Sequence, residues 1–371
     1  MKRMIREMPN TSRAAVFTAP NLPLLIQEFP LRALRPGEVL VRVRMATICR
    51  SDLHSYQGLR PSLCPGILGH EAIGHIVAMS GSVCRDLRGT MLEVGDRVTW
   101  TEYFCSGDPY YQHVLDMPQK CTGVKKYGHE SAHQEPYLLG GFADYCYLQP
   151  GTGILSLPEG LSDEEATPLN CGVATMAAAT EAACIGLGST VVIQGLGLLG
   201  LYGASMAKAL GARLVVGVDP VASRRDLASR FGVDVALDPR SEAHRLEDRI
   251  RNLCRPDGAD AVIEVAGVPE VIPIGLNLLR AGGRYVLAGV VNPGATVMIE
   301  ANRILTRCLT LSGVHNYHPR HLLQALDFVV ANRGRFPFRD LVDARYPLER
   351  IQAAFQDVAR RKVLRAAIVP S

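Results

Sequence analysis

Residues 46–74, ATICRSDLHSYQGLRPSLCPGILGHEAIG, bring Cys49, Ser51, Asp52, His54, His70 and Glu71 into one short segment broken by glycine and proline. A thiolate and an imidazole delivered by a loop suit Zn²⁺, which takes sulfur and nitrogen ligands and keeps one position open when it is catalytic. Two ligands do not hold such an ion, so a third must come from elsewhere. Cys171, in PLNCGVAT, is the candidate. Taken singly, each residue is equally at home as a buried thiol or a hydrogen-bonded core histidine. Their combination favours a metal.

A second constellation lies at Gly195-Leu196-Gly197-Leu198-Leu199-Gly200, after an apolar run and before a helical one. In that setting the first two glycines permit a tight turn and close approach of a pyrophosphate, and the third lets helix and strand pack. The helix N-terminus then offers unpaired N–H groups to phosphate. Asp219 follows Gly200 by 219 − 200 = 19 residues, where an acid can bind both ribose hydroxyls and repel a 2′-phosphate. That argues for NAD over NADP. Arg224 and Arg225 keep NADP as the minority reading, since either could reach a 2′-phosphate.

Both constellations need scaffolds. From Arg13 to about Pro168 the pattern is of short strands with Gly/Pro turns, as in EVLVRVRM (38–45), where Val39, Val41 and Val43 alternate with Arg42 and Arg44. Glu93–Val98 reads as a turn entering a strand, and Gly140–Tyr145 as the start of another. These predict a small barrel-like β domain. Ser162 and Glu165 form a capping box, and Ala-rich helical character continues to Ala183. Six apolar strands then alternate with helices (190–195, 213–219, 233–238, 260–267, 284–291, 309–315), one helix being expected at 241–253. That alternation predicts a doubly wound parallel sheet. An amphipathic helix from Pro319 and the strand LRAAIVP are expected to return to the first domain. The expected division is a catalytic domain of residues 1–168 and 316–371 around a nucleotide-binding domain of 169–315.

The 371-residue chain carries a formal net charge of +4, too weak to point to nucleic acid, and 47% hydrophobic residues, ordinary for a globular protein. The basic runs near the ends (Lys2, Arg3, Arg6; Arg360, Arg361, Lys362, Arg365) read as solvated faces. Ten scattered cysteines favour a reducing compartment, and MKRMIREMPNTSR has no apolar core behind its charge. The apolar run 190–206 is interrupted by Gln194 and glycines, which suits an α/β core and no membrane span. A cytoplasmic location is expected.

With both constellations placed, the chain resembles the zinc-containing medium-chain alcohol dehydrogenase family over nearly its whole length. The matching motifs are Cys49-Arg50-Ser51-Asp52-x-His54, Gly69-His70-Glu71-x-x-Gly74, Val94-Gly95-Asp96-Arg97-Val98, Cys171 and the GLGLLG turn. Lys126-Tyr127-Gly128-His129-Glu130, Asn170-Cys171 and Gly313–Tyr317 are similar to a sub-branch that includes hydroxycamphor-type and phosphonate-catabolism-associated enzymes. The resemblance implies a GroES-like β-barrel domain beside a Rossmann domain, with Cys49, His70 and Cys171 holding a catalytic zinc and Glu71 as supporting carboxylate or occasional fourth ligand. It further implies that Ser51 takes the substrate proton and passes it, through the nicotinamide ribose, to His54. Asp52 orients a zinc-binding histidine. Arg50 and Arg365 match positions near the pyrophosphate, and main chain near Val290 and Val314 receives the nicotinamide amide. Zinc supplies the Lewis acidity that makes an alcohol acidic enough to part with its proton.

The implied activity is hydride transfer between a secondary alcohol, or its ketone, and NAD. A polyol or amino-alcohol dehydrogenase on the same scaffold is the alternative, with Thr99, Glu102 and His315 as polar candidates. A nucleotide-binding protein without turnover is the other. The family often carries a second, four-cysteine structural zinc. Here its lobe, CSGDPYYQHVLDMPQKC, keeps only Cys105 and Cys121, so one zinc per subunit is expected, and packing of Tyr110, Tyr111 and Met117, within the lobe or against a partner subunit, is expected to hold it. RCLTLSGV (307–314), an apolar strand expected at a sheet edge, suggests a homodimer.

Overall fold

The computed structural model describes residues 9–370 except 82–83, 106, 242–244, 255 and 292. Lys2, Arg3 and Arg6, and residues 242–244 of the helix expected at 241–253, lie outside the described residues. The chain divides into two compact units, one of residues 1–171, 318–323 and 338–371, the other of 172–317 and 324–337.

The first unit is built on β1 (Val39–Thr47), followed by the short helix α1 (Arg50–Tyr56), β2 (Glu71–Met79) and β3 (Arg97–Trp100). Strand β1 runs antiparallel to β2, and β2 antiparallel to β3. On its other side β1 pairs with Ala366–Val369, so the C-terminal strand closes on the unit's centre. Arg42 and Arg44 are exposed while their neighbours in β1 are buried, the alternation that a half-buried strand requires. Gly95, at φ +104°, makes the turn before β3. Trp100, Tyr147, Phe142 and Phe355 sit in the core, each at most 1% exposed.

The capping box forms as the sequence implies: Glu165 N–H donates to Ser162 Oγ (3.3 Å) and Ser162 N–H to Glu165 Oε2 (2.9 Å). The helix does not continue to Ala183 unbroken. It stops at Ala166, gives way to a 3₁₀ turn over Thr167–Asn170, and resumes at Gly172–Ala182. Pro168, which lacks an N–H to donate, sits in that turn. Cys171 occupies the break, at φ −138° and ψ −82°.

The second unit contains β4 (Thr190–Gln194), the helix α2 (Leu198–Ala209), β5 (Leu214–Val218), β6 (Val235–Leu237), β7 (Ala259–Glu264), β8 (Leu279–Leu287) and β9 (Thr310–Gly313). All six strands are parallel, in the spatial order β6-β5-β4-β7-β8-β9. This is the doubly wound Rossmann order, whose first strand and turn lie at the point where the strand order reverses. Strand β8 stops at Leu287, so Val290 lies past its end. Strand β9 lies at the sheet edge. Among the described residues no helix is long and apolar enough to cross a membrane.

Candidate metal centre and nucleotide turn

Three short stretches of the first unit converge. Cys49 lies just beyond β1 as N-cap of α1, in extended backbone (φ −76°, ψ 158°). His70 and Glu71 open β2 after Gly69, whose φ of +90° turns the chain and where a Cβ would come within 2.8 Å of the Phe142 ring. Cys171 ends the 3₁₀ turn. Asn170 anchors that turn by donating from Nδ2 to the carbonyls of His70 (2.9 Å) and Trp100 (2.8 Å). The ligand atoms of Cys49, His70, Glu71 and Cys171 all lie within 4.8 Å of one another, the one such group among the described residues. The two sulfurs are 4.0 Å apart. Tetrahedral zinc with ordinary Zn–S bonds holds two sulfurs about 3.8 Å apart, so the spacing fits.

Asp52, wholly buried, orients the imidazole. Its Oδ2 accepts from Cys49 N–H (2.9 Å) and its Oδ1 from Gly69 N–H (3.2 Å), with His70 Nδ1 3.3 Å from Oδ1. His70 Nε2 therefore faces the cluster, 3.4 Å from Ser51 Oγ. Burial pulls the His70 pKa down, but Asp52 and the Cys49 thiol outweigh it and hold it well above its ordinary value. Burial raises Glu71 to about 7 despite Arg365. Its Oε2 accepts from Thr47 Oγ1 and Arg365 Nη1, each at 2.5 Å. The two thiols share a proton: hydrogen bonding between them pushes Cys49 well below and Cys171 well above the ordinary thiol value. Two thiols and two carboxylates thus face one guanidinium, and a dication is what allows both sulfurs to ionise. The donor set and its charge fit zinc.

Ser51 and His54 lie on α1. His54 is half-buried, and burial, then Arg50, lowers its pKa. Arg50 Nε approaches His54 Nε2 at 3.4 Å. Arg365, which the resemblance associates with a pyrophosphate, is buried here and committed to Glu71 and to the Ile48 carbonyl (3.2 Å). His129, for which no role was expected, stacks on His70 with ring centroids 5.7 Å apart and 25° between planes. Burial, then His70, drives its pKa down to about 2, so it is a neutral group. Thr47 and Asn170 were likewise missed as supports; only their place beside the motifs could have signalled them. Thr99 is fully buried with its hydroxyl donating to Ala72 O (3.2 Å), and His315 is exposed.

In the second unit, Gly195 has φ +103° and a Cβ there would lie 2.8 Å from Ala266 backbone, so the turn admits no side chain. At Gly197, the N-cap of α2, a Cβ would meet nothing within 4 Å. That open side, with Leu198 and Leu199 starting the helix and Gly200 packed against Gly195, is where a phosphate can approach. Asp219 is buried, accepting from Leu196 N–H and Val221 N–H at 2.8 Å each. Arg224 Nη1 is 3.4 Å from Asp219 Oδ2. Arg225 donates to the Asp219 carbonyl (2.8 Å) and pairs with Asp238 (3.2 Å). Val314, half-buried just beyond β9, donates its N–H to Leu287 O (2.8 Å).

Cys105 and Cys121 are both buried. The Asp108 carboxylate accepts from Thr122 N–H (3.0 Å) and Tyr111 N–H (3.4 Å), capping the lobe's turn. Tyr110 and Met117 are 56% and 38% exposed, so on this chain alone they do not form a packed centre of the lobe. The hydrogen-bonded turn at Asp108 supports the backbone there.

Residues 35–159 match the alcohol dehydrogenase GroES-like domain, and residues 199–331 the zinc-binding dehydrogenase family. Among curated relatives, 5-exo-hydroxycamphor dehydrogenase of Pseudomonas putida is 27% identical over 364 residues, covering 96% of this chain and 98% of that one. L-threonine 3-dehydrogenase of Pyrococcus furiosus is 30% identical over 298 residues, 76% of this chain and 77% of that one. Among solved structures, an alcohol dehydrogenase from Thermotoga maritima superposes with a TM-score of 0.92 at 30% identity, covering 97% of this chain and all of that one. A zinc-binding dehydrogenase from Sinorhizobium meliloti bound to NADP gives 0.84 at 27% identity, covering 98% and 100%. A Rossmann sheet joined in one chain to a GroES-like β domain defines a medium-chain dehydrogenase. The chain belongs to the zinc-containing medium-chain alcohol dehydrogenase family, and is accordingly a zinc oxidoreductase acting on a small molecule with a nicotinamide nucleotide.

Elemental analysis of the purified protein is expected to give one zinc per chain. Cys171→Ala should bring it well below one with the fold retained by circular dichroism. A firm value of two would show that Cys105 and Cys121 recruit further ligands.

Proposed function

We propose that this protein interconverts a secondary alcohol and its ketone, with NAD as hydride acceptor and donor. The catalytic part is residues 1–168 with 316–371, and the nucleotide-binding part is residues 169–315. Cys49, His70 and Cys171 hold the zinc, with Glu71 in support; bound there, the ion supplies Lewis acidity to the substrate hydroxyl. The observation that carries the reading is the Ser51 hydroxyl, 3.4 Å from His70 Nε2 at the edge of a cluster that fits the metal. Ser51 takes the proton of the substrate hydroxyl. His54, one turn along α1 and kept neutral by burial and Arg50, would release that proton to solvent, with the nicotinamide ribose, when bound, as the bridge from Ser51. Asp52 keeps His70 in the orientation the site requires. Gly195, Gly197, Leu198, Leu199 and Gly200 would cradle the pyrophosphate and Val290 and Val314 would receive the carboxamide, with Arg50 as a further cofactor residue. The polyol alternative is weakened because the Thr99 hydroxyl is already bonded within the sheet.

Asp219 supports NAD, since its carboxylate sits at the end of β5 and faces the glycine turn. Arg224 and Arg225 already have acidic or carbonyl partners, which leaves a 2′-phosphate no uncommitted cation between them. A 2′-phosphate there is a like-charge contact. The ratio of kcat/KM for NAD over NADP should be far above one and should fall in Asp219→Ala; equal efficiencies in the unmodified protein would refute the assignment.

Ser51→Ala should lower kcat by roughly 10²–10⁴-fold, the range for general acid–base groups, with zinc and NAD still bound. His54→Gln should cost less, because water can replace a terminal proton acceptor, and its deficit should shrink as pH rises. The measurement is kcat against pH with metal content determined in each preparation. Near-full activity in zinc-replete Ser51→Ala would mean that the proton leaves by another route.

Strand β9 at the sheet edge supports a homodimer formed by edge pairing. Sedimentation at micromolar concentration should give twice the chain mass, and a monomer there would count against the pairing.

A further inference from the structure

A pocket of about 380 Å³ opens in the first unit, lined by residues that include Arg60, Lys126, His129 and Glu130. It shares a wall with the metal cluster, because the His129 ring that lines it stacks on His70. Arg60 is fixed just beyond α1, its backbone N–H donating to the His54 carbonyl (3.3 Å). Arg60 and His129 line the same pocket, so the guanidinium borders a space whose wall is shared with the metal cluster.

The charges around this pocket do not balance. Glu130 is held by Lys125 Nζ (3.8 Å) and by Lys126 N–H (3.3 Å), and Lys126 Nζ lies 3.9 Å from Glu102. Among the described residues Arg60 meets no carboxylate, although it is half-buried. A half-buried guanidinium without an anion gives up hydration for nothing, and its planar fork matches the two oxygens of a carboxylate or phosphoryl group. Neutral His129 beside it adds polarity without charge.

We propose that this pocket receives an anionic group of the substrate, so that the preferred substrate is a hydroxy acid or a phosphorylated alcohol and not an unsubstituted one. The proposal rests on the dehydrogenase reading above and names the substrate class for the same site. Arg60 is its specificity-determining residue, acting on the far end of the substrate from the reacting carbon.

The test compares 4-hydroxypentanoate and 3-hydroxybutyl phosphate with neutral 2-pentanol, in the zinc-loaded enzyme and in Arg60→Gln. The unmodified enzyme should favour at least one anionic alcohol in kcat/KM. In Arg60→Gln that preference should fall roughly 10- to 100-fold, the range for a hydrogen bond to a charged group, and mainly through KM. Arg60→Lys should restore part of it. Which anionic arm responds separates a carboxylate site from a phosphoryl site. A preference for 2-pentanol, or a ratio unaltered by Arg60→Gln, overturns the proposal. So does a rise in KM for NAD with the alcohol preference unmoved, which would assign the guanidinium to the cofactor. If no alcohol is oxidised, the dehydrogenase reading has failed separately. Calorimetry with 4-oxopentanoate then decides the pocket: weaker binding to Arg60→Gln supports it, and equal binding overturns it.

Discussion

The centre of the first unit holds groups of both signs, and its local structure is arranged around pairing them. Asp52, Glu71, Cys49 and His70 are buried there, the half-buried Cys171 thiol joins them, and the Arg365 guanidinium reaches Glu71. Removing an ion from water costs several kcal/mol unless partners replace the hydration. Arg365 is therefore bonded to Glu71 and Ile48 O, Glu71 also to Thr47, and Asp52 to two backbone N–H groups. A divalent zinc there would let the second sulfur ionise as well. Glu71 sits where it can respond to that ion, balanced between Arg365 on one side and the ligand sulfurs on the other.

The scaffold that holds these charges is made of ordinary parts used at tight places. Strand β1 leads to Cys49, and His70 immediately precedes the antiparallel partner β2, which begins at Glu71, so pairing of the two strands brings these residues near each other: Thr47 is opposite Glu71 in the register. Gly69 makes the turn that a Cβ would block, and Asn170 fastens the third stretch by two donated bonds. In the other unit the same economy applies to the glycine turn, where Asp219 closes the loop through Leu196 N–H. That acid is at once the proposed ribose partner and a support for the turn's shape.

Much of this was legible in the sequence because its signals are local. Alternation in 38–45, the Ser162/Glu165 box, the strand–glycine–helix run and the spacing of Cys49 and His70 each follow from neighbouring residues. The place of Cys171 beside Cys49 and His70 was reachable because two ligands do not hold a zinc. What the sequence withheld depends on contacts between distant segments. Nothing near Arg365 announces that it crosses to Glu71, 294 residues away. His129 lies in a noticeable run, KYGHE, yet its stacking on His70 is a matter of tertiary packing. In the lobe carrying Cys105 and Cys121, likewise, the Asp108 carboxylate accepts from Thr122 N–H, 14 residues on, a contact that the run itself does not announce.

Asp52 shows why the motif around Cys49 specifies an acid and not its amide. Two backbone donors, Cys49 N–H and Gly69 N–H, point at different oxygens of its side chain, and His70 Nδ1 stands at 3.3 Å from one of them. A carboxylate presents acceptors on both sides. An asparagine would accept on one side and turn its own N–H₂ toward a donor on the other, leaving a buried N–H without a partner. The same carboxylate favours the proton on Nδ1 and so leaves Nε2 with its lone pair directed at the cluster. A helix cap contributes about 1 kcal/mol, and an outer partner of a metal-binding histidine about 10- to 100-fold in affinity. Asp52 joins the two effects in one residue, which ties the folding of α1 to the readiness of the metal centre.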